Sequence, residues 1–339
     1  MRLALILLTS ALLGQSQAAP LDGVKTYLES KLRVQEAGTA QLVQGADRYY
    51  ALAKAANFDY RRVAHLPQTR AALQTARAGW IKASPAYEDI EGIVAGVDAL
   101  SDFDLILDAG TSAAEGGENV VPFDLKLPNG KVLPRPGNLF GVNEAALWGT
   151  VKAFGTGVAY DVDGNGTLDF GDQLPDANVL KAAAAELHRQ TGALRQAAAR
   201  WTPTRADVFG ALVANVPTVG PVFFENWKTS RFVLGGQSRR TDFVVISRLA
   251  DLAGNVRSWQ VMYAGLSPAV KGRSPALDAQ IGAGLRDLAA FVSRLVVQER
   301  QRRFTPEQAE TLQAEAQDRA TAITGRLTQA AALLGIKVE

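Results

Sequence analysis

The sequence has 339 residues, 47% of them hydrophobic and 21% charged, which is enough apolar side chain for a substantial core and leaves room for two or three domains. Its 36 basic and 34 acidic residues are interspersed and leave a formal net charge of +2, so there is no electrostatic footprint for nucleic acid or for an anionic membrane. Cysteine is absent, which excludes disulfides, thiolate metal ligands and a cysteine nucleophile.

The chain opens with "MRLALILLTSALLGQSQAAP", in which one arginine precedes an apolar run that ends in small residues. Ser16, Gln17 and Ala18 form an A-x-A-like cleavage site, so residues 1–18 read as a secretory signal peptide. The run Leu3 to Leu13 is too short for a bilayer core of ~30 Å, which takes about 20 residues, and no later segment reads as a span. The mature chain is therefore expected to be soluble beyond the inner membrane, in the periplasm or cell envelope.

A helix is predicted from Leu21 to about Phe58 and a second from about Leu66 to Val97, with Pro85 as a kink or break. Residues 98–140 change character and are rich in Gly, Pro and Asn. Within them "FDLKLPNGKVL" alternates on either side of Asn129-Gly130, the pair a tight hairpin turn favours when both central residues take positive φ. Helix resumes near Leu139 and stops at "FGTGVAY".

The next stretch, "DVDGNGTLDFGD", places Asp161, Asp163, Asn165, Thr167 and Asp169 at alternate positions, with Gly166 sixth and Asp172 twelfth. This is the EF-hand ligand pattern, and it supplies the hard oxygens calcium needs. With no second loop to pair with, and with Gly155, Gly157 and Pro175 interrupting the flanks, the loop reads as a structural calcium staple rather than a sensor.

The second half is mostly helical. Thr204 with Asp207, Ser274 before Pro275, and Thr305-Pro306 with Gln308 are N-cap signatures. Ile281, Leu285, Leu288, Val292 and Leu295 form one apolar helix face that needs covering by other helices. The expected fold is all-α: two related antiparallel helical bundles packed together, residues 19–172 and 173–339, with a small β-hairpin excursion and a single EF-hand-type calcium loop.

Some acidic residues stand out. In "WIKASPAYEDIEG", Glu88 and Glu91 share a helix face near Trp80 and Tyr87, a spacing that suits either a hard cation or plain solvation. Glu144, in "LFGVNEAALWG", is by itself an ordinary helical glutamate, and His65 and His188 read as helix-surface residues. No H-E-x-x-H, G-x-G-x-x-G or P-loop pattern occurs, and neither histidine sits in a nucleophile triad, so no catalytic residue is named.

The Trp/Tyr/Glu helix, "LFGVNEAALWG" and "FVVISRLADLAGNVRSWQVMYAGLSPAV" together resemble the imelysin-like family of exported bacterial envelope proteins. That resemblance implies two related helical bundles with a cleft between them and a G-x-H-x-x-E motif just before Leu-Trp-Gly. Anchoring on Leu147-Trp148-Gly149 puts the motif glutamate at Glu144, while Gly141 stands where the histidine would be. A further family pattern is similar to Ser247, Asp251 and Asn255 on one helix face before Tyr263-Ala264-Gly265. "VFFENWKTSRF" adds Glu225 and Trp227 as a candidate lining segment. The resemblance implies a cleft lined by Trp80, Tyr87, Glu88, Glu91, Glu144, Glu225, Ser247, Asp251 and Asn255 that holds iron, another divalent metal or a small ligand, with a link to iron uptake and an envelope protein as partner. A metallopeptidase of the imelysin type and a purely structural envelope protein remain the alternatives.

Overall fold

The computed structural model describes residues 21–338, so the signal-peptide reading lies outside the described residues. In chain order the α-helices are α1 (Asp22–Ala55), α2 (Tyr60–Ala64), α3 (Gln68–Val94), α4 (Asp98–Asp104), α5 (Leu139–Trp148), α6 (Ala177–Arg200), α7 (Arg205–Asn215), α8 (Glu225–Lys228), α9 (Arg231–Leu234), α10 (Arg248–Arg273), α11 (Pro275–Gln301) and α12 (Pro306–Leu333). Two small antiparallel strand pairs complete the fold: β1 (Leu125–Lys126) with β2 (Val132–Leu133), and β3 (Gly155–Ala159) with β4 (Gln173–Pro175). The chain is all-α with a minor β excursion.

Small residues let the long helices approach closely. Along α1 and α3, Gly38 meets Ala83 and Gly45 meets Ala76, so the two run antiparallel, and a Cβ on Gly79 would lie 2.3 Å from the Leu42 nitrogen. On its other side α1 holds α6, also antiparallel, through Gln35 to Thr191 (3.1 Å) and Thr39 to His188 (2.8 Å). Helix α6 follows the expected division at 172/173, yet it packs along α1. Helices α10, α11 and α12 form a second antiparallel set, with α7 against α10 and α12.

The predicted caps form. Thr204 and Thr305 close full capping boxes with Asp207 and Gln308, and Ser274 Oγ accepts from the Leu277 N–H. All five predicted stripe residues of α11, from Ile281 to Leu295, are buried. Such burial is what holds these helices, since helices of this length draw most of their stability from tertiary packing.

Several local expectations need correction. Pro85 sits within an uninterrupted α3. The excursion begins later than expected, because residues 98–109 form α4 and a π-helical turn, Leu105–Ala109. In the hairpin only Gly130 takes positive φ (85°), because Pro128 opens a turn in which the Gly130 N–H donates to the Leu127 carbonyl. The aspartate-rich loop is flanked by strands β3 and β4 and not by helices, so it has no helix pair to re-angle. Gly149, at φ 69°, ends α5 before the loop.

One described run, Arg205–Lys228, passes the length and hydropathy criterion for a membrane span (mean hydropathy 1.4), contrary to the expectation that no segment after the leader would. Half of its apolar window is buried, with Phe209, Leu212, Phe224 and Trp227 in the core, which is how a central helix of a bundle is composed.

Candidate metal centre at the helical seam

Helices α3 and α10 cross at two glycines. A Cβ on Gly254 would lie 3.0 Å from the Glu88 carbonyl carbon, and one on Gly92 would lie 2.5 Å from Trp259 Nε1. This approach drives Asp251 and Asn255 of α10 against Glu88 and Glu91 of α3. Asn255 Nδ2 donates to Glu91 (2.5 Å) and Glu88 (3.3 Å). The π-helical turn after α4 adds Asp108, and the end of α4 adds Asp104, whose carboxylate accepts from the Tyr87 hydroxyl at 2.7 Å. Such turns shift side chains off the ordinary helical register and are frequent at functional sites.

One cation stands among these acids. Arg248 Nη1 donates to Asp251 at 3.0 Å and to Glu88 at 3.4 Å, and all three side chains are buried. Its guanidinium lies between two rings, 4.5 Å from the Phe223 centroid and 4.1 Å from that of Phe243. Phe223 belongs to the second π-helical turn, Gly220–Phe224. The cation is thus fixed by stacking as well as by charge.

The electrostatics follow from burial. Glu88 is pushed well above the usual carboxylate range by desolvation and then by the neighbouring Asp251 and Glu91 charges. Asp108 is pushed up the same way, by burial and by Glu91. Burial likewise raises Asp104 to about 7 and Asp251 to about 6, the latter opposed by Arg248. Among the described residues, Glu88, Glu91, Asp104, Asp108 and Asp251 thus face one guanidinium, that of Arg248, which pairs with Glu88 and Asp251 alone. A desolvated group with this excess of carboxylates must hold protons or a further cation.

Carboxylate oxygens of Glu88, Glu91 and Asp108 lie within 4.8 Å of one another. The void beside them, bounded by Trp80, Ser84, Asp108, Phe140, Glu144 and Asp251, is about 10 Å³, close to the space of one water. Its donor set is oxygen throughout, which suits a hard cation rather than zinc. Neither histidine contributes: His188 Nδ1 shares a hydrogen bond with Thr39, and His65 is exposed beyond α2.

The nine expected cleft residues divide into groups. Tyr87, Glu88, Glu91, Asp251 and Asn255 come together in the cluster. Trp80 forms a wall, donating through Nε1 to the Phe140 carbonyl at 3.1 Å. Glu144 is at the edge, and its oxygens accept from the backbone N–H groups of Phe243 (2.8 Å), Val244 (3.0 Å) and Val245 (2.9 Å). Burial nonetheless raises its carboxyl to about 8 against those three donors. Glu144 thereby fixes the loop whose Phe243, at φ 50°, covers Arg248. Ser247 caps α10 and donates to Glu299 at 2.9 Å, and Glu225 pairs with Lys228 at 2.9 Å; the two lie outside the cluster.

Sequence reasoning passed over Asp104, Asp108 and Arg248. The signals were present: "DFDLILD" sets acids four apart among apolar residues, and Arg248 stands three residues before Asp251 at the start of a buried helix.

The aspartate-rich loop lies apart from this cluster. Asp161, Asp163 and Asp172 hold carboxylate oxygens within 4.8 Å of one another. Asp161 accepts from Gly164 N (2.7 Å) and Gly166 N (3.2 Å), and Asp172 accepts from Val162 N (2.9 Å) and Asp169 N (3.1 Å). Asn165 and Thr167 are occupied with each other, since Asn165 Oδ1 accepts from Thr167 N at 2.7 Å. The loop is docked on α3 by Arg70, which donates to the Asp161 carbonyl, and by Gln74, which donates to that of Val162.

No curated protein matches the sequence. A family model described as imelysin, a peptidase family, matches residues 28–327, a span that takes in α3, α5 and α10 and with them every residue of the seam cluster. The chain belongs to the imelysin family.

Proposed function

We propose that this imelysin-family protein is exported to the periplasm or cell envelope and binds a hard metal ion, iron or another divalent metal, at Glu88, Glu91 and Asp108 between its helical sets, in the service of iron uptake. The observation that carries this reading is the convergence of those three carboxylates from two separate segments beside a single buried guanidinium. A cation there would replace the protons that burial otherwise forces onto Glu88 and Asp108. In the same reading, calcium occupies the loop of Asp161, Asp163, Asn165, Thr167, Asp169 and Asp172 as a staple between β3 and β4.

Peptide hydrolysis fits the site less well. A hydrolytic metal keeps an open position for water and substrate, whereas a void of about 10 Å³ has no room for a peptide. Elemental analysis of the purified mature protein, before and after chelation, tests the proposal. Calcium together with a second metal that is lost in Glu88→Gln/Asp108→Asn supports it; calcium alone, in both proteins, counts against it.

A further inference from the structure

A second and larger cavity lies on the other side of the Phe243–Val245 segment. It is an open groove of about 570 Å³ in which the first half of the chain contributes Trp148 and Phe170 and the second half contributes Arg231, Arg300, Arg302 and Arg303. Val244 and Val245 line it while Phe243 lines the void beside the cluster, so the strip of backbone held by Glu144 borders both.

Four arginines gather around this one groove without an ion-pair partner. Among the described residues none of them has a carboxylate within 4.0 Å; Arg302 donates to Gln308 at 3.2 Å, and Arg231 lies over the Phe170 ring at 3.5 Å. Other arginines among the described residues lack an acid partner too, as Arg61 and Arg273 do, but here four of them gather around one cavity. The nearest acid in the groove, Glu299, is occupied by the Trp227 indole N–H (2.5 Å) and the Ser247 hydroxyl (2.9 Å). Asp169, at the loop, offsets part of the charge on Arg231, whose pKa is nonetheless lowered by burial and by the neighbouring Arg303.

The end of α11 accounts for some of this charge, because cations are favoured where helix carbonyls are left unpaired. It does not account for Arg231, which comes from α9, nor for aromatic rings from the other half of the chain facing the same space. Planar guanidinium forks bind carboxylates and phosphates through paired hydrogen bonds, and the rings offer a flat apolar wall. The volume falls within the range of small-molecule sites, roughly 300–1,000 Å³.

We infer that this groove binds a small polyanion, one carrying two or more carboxylate or phosphate groups on a compact frame, held by Arg231, Arg300 and Arg303 against Trp148 and Phe170. The inference is independent of the metal reading, since it uses none of the cluster residues.

Calorimetric titration of the mature protein with trimesate (a benzene tricarboxylate) and with pyrophosphate tests it, the two probes separating carboxylate from phosphate recognition. The expected result is saturable binding of at least one probe tighter than ~1 mM at about 0.15 M salt. Arg303→Gln, an exposed position, should weaken that binding by ~10-fold, and Arg231→Gln/Arg303→Gln should abolish it. Tryptophan emission, to which Trp148 contributes from the groove wall, should respond to the probe and cease to do so in the double variant. The control Arg61→Gln/Arg273→Gln alters exposed arginines outside the groove and should leave affinity unchanged. Binding of neither probe, or an equal loss in the control, overturns the inference. If the double variant melts early, Arg303→Gln alone decides, and an affinity within about twofold of the unmodified protein refutes the assignment.

Discussion

Arg248 and Asp251, one turn apart at the start of α10, form a buried ion pair of 3.0 Å whose guanidinium also reaches Glu88 across the seam. This joins the two helical sets at the point where carboxylates outnumber cations. Arg248→Met should therefore cost ~3–5 kcal/mol at neutral pH, the scale for removing one partner of a buried pair. Urea unfolding at pH 7 and at pH 5 checks the cause: the cost should shrink at pH 5, where Glu88 and Asp108 more readily hold protons, and an equal cost at both would contradict it.

The same cluster sets the pH dependence of the metal-free protein. The folded-state pKa values of Asp251 (about 6), Asp104 (about 7) and Glu144 (about 8) lie above their unfolded values, so between pH 4 and 8 the folded chain binds more protons than the unfolded one. Stability is then greatest at mildly acid pH and falls as pH rises through 6 to 8. Thermal melts of chelator-treated protein should show this decline, and a divalent cation should reverse it at pH 8 but not at pH 5. A melting temperature that rises steadily from pH 5 to 8 without metal would refute the assignment of raised pKa values.

Much of this architecture was legible in the chain, and the limits have physical causes. Capping boxes at Thr204 and Thr305 and the α11 stripe are local, periodic signals, and they formed as expected. The Ser247, Asp251 and Asn255 face was visible too, but the partner of each member depends on which helix crosses it: Asp251 and Asn255 meet α3, whereas Ser247 meets Glu299 of α11. Glu225 carried no spacing signal of its own and pairs locally with Lys228. Asp104 and Asp108 were passed over although they stand four apart, because residues 98–140 read as one Gly/Pro/Asn-rich excursion and not as the helix and π-helical turn that begin it.

Glu144 holds a loop through three N–H donors, so at pH 9, where its carboxyl is ionised and both oxygens accept, Glu144→Gln sets an amide N–H against one of those donors. The expected cost is about 1–3 kcal/mol, the range for leaving a buried donor unsatisfied. Hydrogen exchange of the Phe243, Val244 and Val245 amides should accelerate together in this variant. Unchanged exchange at all three would show that the loop stands without Glu144.

Calcium binding to the β3–β4 loop should raise the melting temperature, with stabilisation of ~2.7 kcal/mol at a hundredfold excess over Kd. Asp161→Ala and Asp163→Ala should each remove the shift, since their carboxylates converge with that of Asp172. Calcium-independent melting of the unmodified protein would remove the metal from this loop. A large calcium-induced rise in exposed apolar surface would mean a sensor, which strand flanks do not favour.

Cation binding at the seam is what the proposed function rests on. Its most direct test is calorimetric titration of manganese or ferrous ion into an Asp161→Ala/Asp163→Ala background, where the loop no longer competes, with and without Glu88→Gln/Asp108→Asn. One site per chain in the first protein and none in the second is the predicted result; no binding in the first, or equal binding in both, would contradict it.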